Sequence, residues 1–314
     1  MRILFAGSPD FAVPSLIAVH KAFSITAVLT NPDRPVGRGK EAVATPVKWK
    51  ALALDLPVLQ PRALDDSFLE QVRALQPELL VVVAFGRIFS REFLELFPHG
   101  GVNLHASLLP KYRGPSPITA VILNGEDRTG VTVQRLAPKM DAGDILNTRS
   151  LPLKGWETTG SLSTILAELG AELLPATLKD LEQGRVRPVP QDESEASYCT
   201  LVRKEDGRIE WSAEAGMIER KIRAYDPWPR AFTTFKGQRL NLLAGGVYPE
   251  SAETSGKKPG LVLAIDNRYG ILVNTGAGVL YISSLQLQTK KPLGWRSFLN
   301  GQQDFIGVQL GEDR

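Results

Sequence analysis

The sequence predicts an α/β fold: a doubly wound parallel sheet, followed by a smaller domain rich in β-strands. Over the first 190 residues, short apolar runs that suit buried strands alternate with segments of helical spacing, which is typical of parallel sheets covered by helices. Beyond residue 206, one helical segment precedes several short strand-like runs separated by Gly-containing turns. We therefore expect a first domain at residues 1–189, a linker at 190–206 and a second domain at 207–314.

Apolar runs predict the strands of the first domain at residues 2–6, 25–29, 56–59, 79–85 and 101–105. The run at 79–85 is apolar at every position, as expected for a central parallel strand that is buried on both faces. Apolar residues at helical spacing between Phe68 and Leu75 predict a helix over residues 65–76. The expected architecture of this domain is Rossmann-like.

The second domain is predicted to be a small antiparallel β-barrel. A helix is expected around residues 213–224, and strands are expected at 231–235, 240–244, 260–265, 270–274 and 279–285. Several short strands in so few residues are typical of barrels of the OB type. The segment before them contains Pro188, Pro190 and a run of polar residues, which indicates an exposed linker.

The composition is that of an ordinary folded protein, with 43% hydrophobic and 23% charged residues. The net charge of +3 neither requires nor excludes a nucleic-acid partner. A single cysteine, Cys199, excludes an intramolecular disulfide and a Cys-based zinc site. The first apolar run breaks at Ser8-Pro9-Asp10, too early for a signal peptide, and 79–85 is far too short to span a bilayer. We expect a cytoplasmic protein.

Gly7, which follows the first predicted strand, invites a dinucleotide-binding interpretation. The residues from Gly7 to Ala12 lack the second and third glycines of the G-x-G-x-x-G motif, and the sequence contains no G-x-x-x-x-G-K-[ST]. Those glycines let the backbone approach a pyrophosphate. We therefore interpret Gly7 as a tight turn into a helix.

Asn103 and His105 stand at the carboxyl end of a predicted parallel strand, where open α/β sheets bind ligands. Their spacing of two places both side chains on one face. Asp141 follows in a Gly-containing loop. An amide and an imidazolium can hold a tetrahedral oxyanion while a carboxylate orients the imidazole. Spacing alone leaves open that Asn103 and His105 only satisfy buried backbone groups.

Two segments resemble a known family. Residues 103–114 read NLHASLLPKYRG and residues 140–146 read MDAGDIL; both are similar to motifs of the formyltransferases that depend on 10-formyltetrahydrofolate. The resemblance implies a catalytic set of Asn103, His105 and Asp141, with 10-formyltetrahydrofolate as formyl donor and no metal. It also implies a pterin pocket formed by Phe85, Gly86, Ile88 and the backbone of Ser107, Leu108, Leu109 and Pro110. For Phe85, a core aromatic residue is the alternative interpretation.

Three features resemble the branch of this family that formylates methionyl initiator tRNA. They are the loop at residues 30–40, the length left for a C-terminal domain, and the residues from Ile222 to Pro229 together with 259–287. In that branch the loop contacts the tRNA acceptor stem, which implies tRNA contacts for Arg34, Arg38 and Lys40. Glu41 departs from the pattern, because a second basic residue is expected there. A flexible basic loop is also commonly a solvated surface loop.

The resemblance implies initiator methionyl-tRNA and tetrahydrofolate as partners, without a membrane, and we expect a monomer. The alternative enzyme is a folate-dependent formyltransferase that acts on an amino-sugar nucleotide. A folate- or RNA-binding protein without catalysis is a third possibility, against which the intact Asn103, His105 and Asp141 argue. In the second domain, cations that suit phosphate contact are Arg220, Arg223, Arg239, Lys290 and Lys291.

Overall fold

The computed structural model describes residues 1–36, 41–250, 252 and 254–312. The chain divides into two compact units that alternate along the sequence. The first consists of Met1–Pro117, Arg128–Pro152 and Leu162–Thr200. The second consists of Ile118–Asp127, Leu153–Ser161 and Leu201–Arg314.

The chain to residue 182 forms nine strands and six α-helices within the described ranges. The strands are β1 (Arg2–Gly7), β2 (Ser24–Leu29), β3 (Arg34–Val36), β4 (Glu41–Val43), β5 (Val58–Leu59), β6 (Leu79–Val83), β7 (Gly101–His105), β8 (Arg128–Arg135) and β9 (Ile145–Pro152). The helices are α1 (Val13–Ala22), α2 (Pro46–Leu52), α3 (Asp66–Leu75), α4 (Arg91–Leu94), α5 (Pro117–Leu123) and α6 (Thr159–Glu182). By the division above, all of α5 but Pro117 belongs to the second unit, and α6 begins there and continues in the first.

The first unit is built on a seven-stranded sheet in the order β5-β2-β1-β6-β7-β8-β9. The pairs from β5 to β7 are parallel, whereas β8 runs antiparallel to both of its neighbours. The predicted parallel sheet is therefore confirmed for its five predicted strands, whereas β8 runs against them and β9, being antiparallel to β8, again runs in the direction of β7. The connection from β8 to β9 spans only residues 136–144, which suits antiparallel pairing, whereas a parallel crossover needs about a dozen residues or more.

Burial explains the centre of this sheet. Every residue of β6 is buried, as a strand covered on both faces requires. The strand ends at Val83, two residues before the predicted end, because Ala84 has φ 49° and leaves the extended region. Gly7 lies against β6, and a Cβ there would come within 2.8 Å of the Val83 carbonyl oxygen. Close strand packing therefore requires glycine at this position.

The second unit carries an antiparallel sheet. Its elements after residue 200 are α7 (Ala215–Ala224), β10 (Ala231–Phe235), β11 (Gln238–Val247), β12 (Val262–Asp266), β13 (Gly270–Asn274), β14 (Val279–Leu287), β15 (Leu293–Gly294) and α8 (Trp295–Asn300). The strand order is β10-β11-β14-β13-β12, with β15 also on β14. Ile218 and Ile222 of α7 share a buried core with residues of these strands, such as Leu240 and Ile271.

The described strands of the second unit form an open sheet, so the predicted OB-like barrel is not confirmed. The edge of β10 is covered by residues 208–209, where the Ile209 N–H donates to the Phe232 carbonyl at 2.8 Å. The edge of β12 is covered by residues 307–310, where the Val262 N–H donates to the Val308 carbonyl at 2.9 Å. Since both edges are covered, their backbone groups are satisfied without closure.

The segment expected as an exposed linker pairs with the first unit over its first half. Val189 pairs with Ile145, and Tyr198 pairs with Arg113. The Cys199 N–H donates to the Arg113 carbonyl at 2.8 Å, and the Arg113 N–H donates to the Ser197 carbonyl at 2.8 Å. The domain limits 1–189 and 207–314 stay a prediction. Within the described residues, no helix is long and apolar enough to cross a membrane.

Candidate active site

The structure brings the three predicted catalytic residues together at the carboxyl end of β7. Asn103 is partly buried and His105 is 6% exposed. Asp141 lies in the loop between β8 and β9, with φ 51°, and its carboxylate turns towards β7. Asn103 Nδ2 is 3.5 Å from Asp141 Oδ1, and His105 Nδ1 is 3.6 Å from Asp141 Oδ2.

The Asp141 carboxylate also receives two shorter hydrogen bonds. Gln134 Nε2 donates to Oδ1 at 2.9 Å, and the Gly114 N–H donates to Oδ2 at 2.8 Å. Gly114 has φ 115°, and a Cβ there would come within 2.3 Å of the Cys199 carbonyl oxygen. Glycine is therefore required where the backbone that donates to the carboxylate passes close to Cys199 with a positive φ.

Both ring nitrogens of His105 face protein groups. Nε2 lies 2.8 Å from the Tyr112 carbonyl oxygen, and because a carbonyl only accepts, Nε2 carries the hydrogen. Nδ1 faces Asp141. To donate to a substrate oxyanion, as expected, His105 must therefore give up its contact with either the Tyr112 carbonyl or Asp141.

The motif loop after β7 is held by hydrogen bonds to Thr132 of β8 and by one within the loop. Thr132 Oγ1 donates to the Ser107 carbonyl at 2.7 Å and accepts the Leu109 N–H at 3.2 Å. Ser107 is buried, and its hydroxyl donates to the Lys111 carbonyl at 2.6 Å. Leu108 and Pro110 are partly buried. The backbone of Leu109, expected at the pterin pocket, thus has its N–H engaged within the protein.

The other residues expected at the pterin pocket divide into core and surface. The Phe85 side chain is 2% exposed and stacks on Phe89 with ring centroids 5.4 Å apart, which agrees with a core aromatic residue. Gly86 is exposed, and a Cβ there would meet nothing within 4 Å. Ile88 is 82% exposed. Open space and an uncovered apolar side chain therefore occur at Gly86 and Ile88.

The basic loop is described at its two ends. Arg34 is exposed on β3, which pairs with β4 as a short hairpin; Arg38 and Lys40 lie outside the described residues. Lys48 forms an ion pair with Asp33 at 2.6 Å. Hydrogen bonds from Gln60 and then from Lys48 hold the pKa of Asp33 below its ordinary value. The positive charge of Lys48 is therefore neutralised at the base of the loop.

Sequence reasoning missed a buried polar group behind Asp141. Arg113 is 0% exposed, and its Nη2 forms an ion pair with Glu193 at 2.8 Å. Hydrogen bonds from Arg113 and then from Lys139 lower the pKa of Glu193 to about 2. Arg113 Nε donates to Gln191 Oε1 at 3.0 Å. Arg113 lies in the motif at residues 103–114, whereas Gln191 lies in the segment that its composition predicts to be a linker.

An α/β sheet with an amide, an imidazole and a carboxylate gathered at one strand end defines a class of protein suited to acyl transfer. Residues 1–178 match the family model described as formyl transferase, and residues 201–303 match the model of the formyl transferase C-terminal domain. The chain belongs to the formyl transferase family.

Relatives agree with this family over the whole length of the chain. A methionyl-tRNA formyltransferase of Treponema denticola is 44% identical, with 98% of each chain covered. A methionyl-tRNA formyltransferase of Moorella thermoacetica is 46% identical, with 99% of each covered. Among solved structures, HypX from Aquifex aeolicus in complex with tetrahydrofolic acid is 20% identical with a TM-score of 0.64. That match covers 98% of this chain and 48% of HypX, so the chain spans about half of that protein.

Proposed function

We propose that this protein transfers the formyl group of 10-formyltetrahydrofolate to the α-amino group of methionine esterified to initiator tRNA. The observation that carries the proposal is the sequence identity to two methionyl-tRNA formyltransferases, which is 44% over 98% of the chain for one and 46% over 99% for the other. The gathering of Asn103, His105 and Asp141 supports it, because this set suits attack of an amine on a formyl carbon.

In this proposal Asn103 and Asp141 contact the reacting groups. 10-Formyltetrahydrofolate supplies the formyl carbon: the amine nitrogen bonds to this carbon, the bond from the carbon to the folate nitrogen breaks, and tetrahydrofolate leaves. The proton that the amine loses balances the proton that the folate nitrogen gains. The amide of Asn103 would donate to the formyl oxygen as negative charge develops there, and Asp141 would accept a proton from the attacking amine. His105 faces Asp141 through Nδ1; as the second oxyanion donor, it would have to release the Tyr112 carbonyl or turn from Asp141.

The formyl donor would lie against Gly86, Ile88 and the loop from Ser107 to Pro110. The open space at Gly86 and the exposed Ile88 side chain fit the flat face of a ring. Phe85 would act from behind this surface, since its carbonyl accepts Asn31 Nδ2 at 2.8 Å and its ring is in the core.

The tRNA would be bound by the basic loop, including Arg34, Arg38 and Lys40, and by cations of the second unit. In this proposal the second unit acts as an OB-like domain, because an antiparallel sheet with exposed cations suits nucleic-acid backbones. A monomer in the cytoplasm agrees with this proposed role.

The test is formyl transfer with matched acceptors. Purified protein is incubated with 10-formyltetrahydrofolate and, in separate reactions, methionyl initiator tRNA, uncharged initiator tRNA or an amino-sugar nucleotide. Formation of N-formylmethionyl-tRNA alone is expected, as measured by mass spectrometry of the released amino acid. Formylation of the sugar nucleotide instead would support the alternative enzyme. No transfer to either acceptor, with folate still bound, would indicate a binding protein.

A further inference from the structure

Behind Asp141, three side chains form a directed chain of hydrogen bonds within the first unit. Arg113 Nε donates to Gln191 Oε1 at 3.0 Å, and Gln191 Nε2 donates to Gln134 Oε1 at 3.3 Å. Gln134 Nε2 in turn donates to Asp141 Oδ1 at 2.9 Å. This series of hydrogen bonds therefore begins at a guanidinium and ends at the proposed catalytic carboxylate.

The direction of this chain is fixed by its first member. A guanidinium has donors and no acceptor, so the oxygen of the Gln191 amide must face Arg113. Its nitrogen, whose two hydrogens are shared among three acceptors, then faces the Gly143 carbonyl at 2.7 Å, the Asp141 carbonyl at 2.9 Å and Gln134 Oε1 at 3.3 Å. The orientation of both glutamine amides follows from the chemistry of their partners.

Arg113 is itself held in place. Its side chain is 0% exposed, and it contacts the Glu193 carboxylate and the Tyr198 hydroxyl, the latter at 2.9 Å. A buried cation with several fixed partners has little freedom to reorient. It therefore provides a rigid anchor for Gln191, which itself follows β9 by almost 40 residues.

Gln191 contacts the Asp141 loop at two backbone carbonyls. The loop needs such support, because Asp141 itself has φ 51°, a conformation that non-glycine residues adopt at a cost. A shift of about 1 Å in a reacting group can lower the rate roughly 10²-fold. By fixing the carbonyls of Asp141 and Gly143 and the amide of Gln134, Gln191 restrains the position of the Asp141 carboxylate.

We propose that Gln191 is a positioning residue that sets the orientation of Asp141 for formyl transfer. The proposal rests on the proposed function and adds a residue that the sequence motifs do not contain. Gln191 acts through the backbone of Asp141 and Gly143 and through Gln134, so its loss should affect turnover more than binding of the formyl donor.

The test compares Gln191→Met and Gln191→Glu in the full-length protein. Methionine keeps the length of the side chain and removes both amide groups. Glutamate keeps the acceptor for Arg113 and places an oxygen against the two carbonyls. We expect both variants to lower kcat about 10- to 100-fold, with the KM for 10-formyltetrahydrofolate changed less than about threefold. Gln183→Met and Gln183→Glu, at an exposed position after α6, serve as matched controls.

A structural role would have a different result. It would lower the Tm while leaving kcat per folded molecule unchanged, so all rates are measured well below the Tm of the least stable variant. Retention of kcat within about twofold in either variant would overturn the proposal. The Gln191→Glu variant keeps the bond to Arg113 and remains informative if the methionine variant does not fold.

A double-mutant cycle with Gln134→Met tests the connection itself. Because Gln191 and Gln134 act on the same carboxylate in series, the double variant should lose little more activity than the worse single variant. If the fold losses in kcat of the two single variants multiply in the double variant, Gln191 and Gln134 do not act through one series of hydrogen bonds. Wild-type protein is assayed in parallel: an inactive wild type would refute the proposed function, whereas an active wild type with unaffected Gln191 variants would refute only the positioning role.

Discussion

Asn103 occupies a position in which its amide has a weak partner. Its Nδ2 is 3.5 Å from Asp141, while Gln134 and Gly114 supply the shorter bonds to that carboxylate. Loss of the Asn103 amide therefore leaves Asp141 with donors. The residue is free to serve a substrate oxygen without leaving a buried charge unpaired.

The first prediction concerns this amide. Asn103→Ala is expected to lower kcat roughly 10²- to 10³-fold, as is typical when one oxyanion donor is lost. The KM for 10-formyltetrahydrofolate should change little, because the contact develops in the transition state. Steady-state kinetics of formyl transfer measure both values. Asn124→Ala, at an exposed position, is the control, and a lowered Tm with unchanged kcat would indicate a structural role instead.

The second prediction concerns Cys199. Burial is the chief cause that raises the pKa of its thiol, and Sγ also donates to the Arg113 carbonyl at 3.3 Å. Because the thiolate is the nucleophile, alkylation of the folded protein should be slower than that of the unfolded chain at every pH between about 7 and 10. The folded rate should continue to rise with pH after the unfolded rate has levelled off. Iodoacetamide labelling followed by intact mass, with and without guanidinium, measures this; coincident pH profiles would contradict it.

At this scale, the sequence allowed prediction of the residues that belong to contiguous motifs. Asn103, His105 and Asp141 were named from spacing and resemblance, and the structure places Asn103 and His105 each within 3.6 Å of the Asp141 carboxylate. Gln134 and Gln191 were not named, because an isolated glutamine has no periodicity or charge that marks it. Phe85 was named as a pocket residue, but its ring lies in the core, since sequence does not show which side of a strand end a ring faces.

Among elements, the hairpin of β3 and β4 carries the tRNA contacts proposed for the first unit. The ion pair of Asp33 and Lys48, together with Gln60, joins the two ends of this segment. A loop with fixed ends loses less conformational freedom when it binds a partner. The hairpin can therefore present Arg34 in a defined place.

The third prediction concerns Arg38, which lies outside the described residues. If this loop inserts at the acceptor end, Arg38→Ala should strongly reduce formylation of an initiator tRNA whose first acceptor position is unpaired. It should also narrow the difference from a variant tRNA in which that position is paired, because opening a base pair costs a few kcal/mol. Formylation rates of the two matched tRNAs measure this. An equal fold loss for both tRNAs would mean simple phosphate attraction, and lost folate binding would place the loop at the cofactor pocket instead.

Element types were predicted better than their directions and ends. The helix at Asp66–Leu75 and the strand at Gly101–His105 were both expected within one residue, because each has strong apolar periodicity. The reversed direction of β8 was missed, since the residues of a strand do not signal the direction in which it pairs. The early end of β6 depends on the backbone of Ala84, which no residue type in that run signals.

For the whole molecule, the cations of the second unit differ in what they already bind. Arg220 donates to the Leu123 carbonyl at 3.1 Å, and Arg223 is paired with Glu219 and donates to the Glu157 carbonyl at 3.0 Å. Arg239 lies over the Phe232 ring, 3.6 Å from its centroid. Lys290 and Lys291 are exposed. The structure thus separates five cations that the sequence left unranked.

The fourth prediction uses this separation. Replacement of Lys290 and Lys291 by alanine should reduce the slope of log Kd for tRNA against log salt by about 1 to 2, as expected for the loss of one or two phosphate contacts. Arg223→Ala removes a charge that is already paired, so it should lower the Tm and leave the slope unchanged. Titrations over a range of salt concentrations measure the slopes. Identical slopes for the lysine variant and the wild type would remove this surface from the tRNA site.

The packing of residues 189–199 against the first unit has a consequence for the order in which the protein acquires activity during synthesis. Strand β9, the last of the seven-stranded sheet, is complete at Pro152, but Gln191 is made 39 residues later. At a ribosomal rate of about 5 to 20 residues per second, that interval is roughly 2 to 8 s. During it, the sheet can assemble while the Asp141 loop lacks the amide that fastens it and Arg113 lacks its carboxylate. A nascent chain would therefore acquire its shape before its catalytic geometry, and a chain released before residue 191 would be folded in its sheet and poorly active.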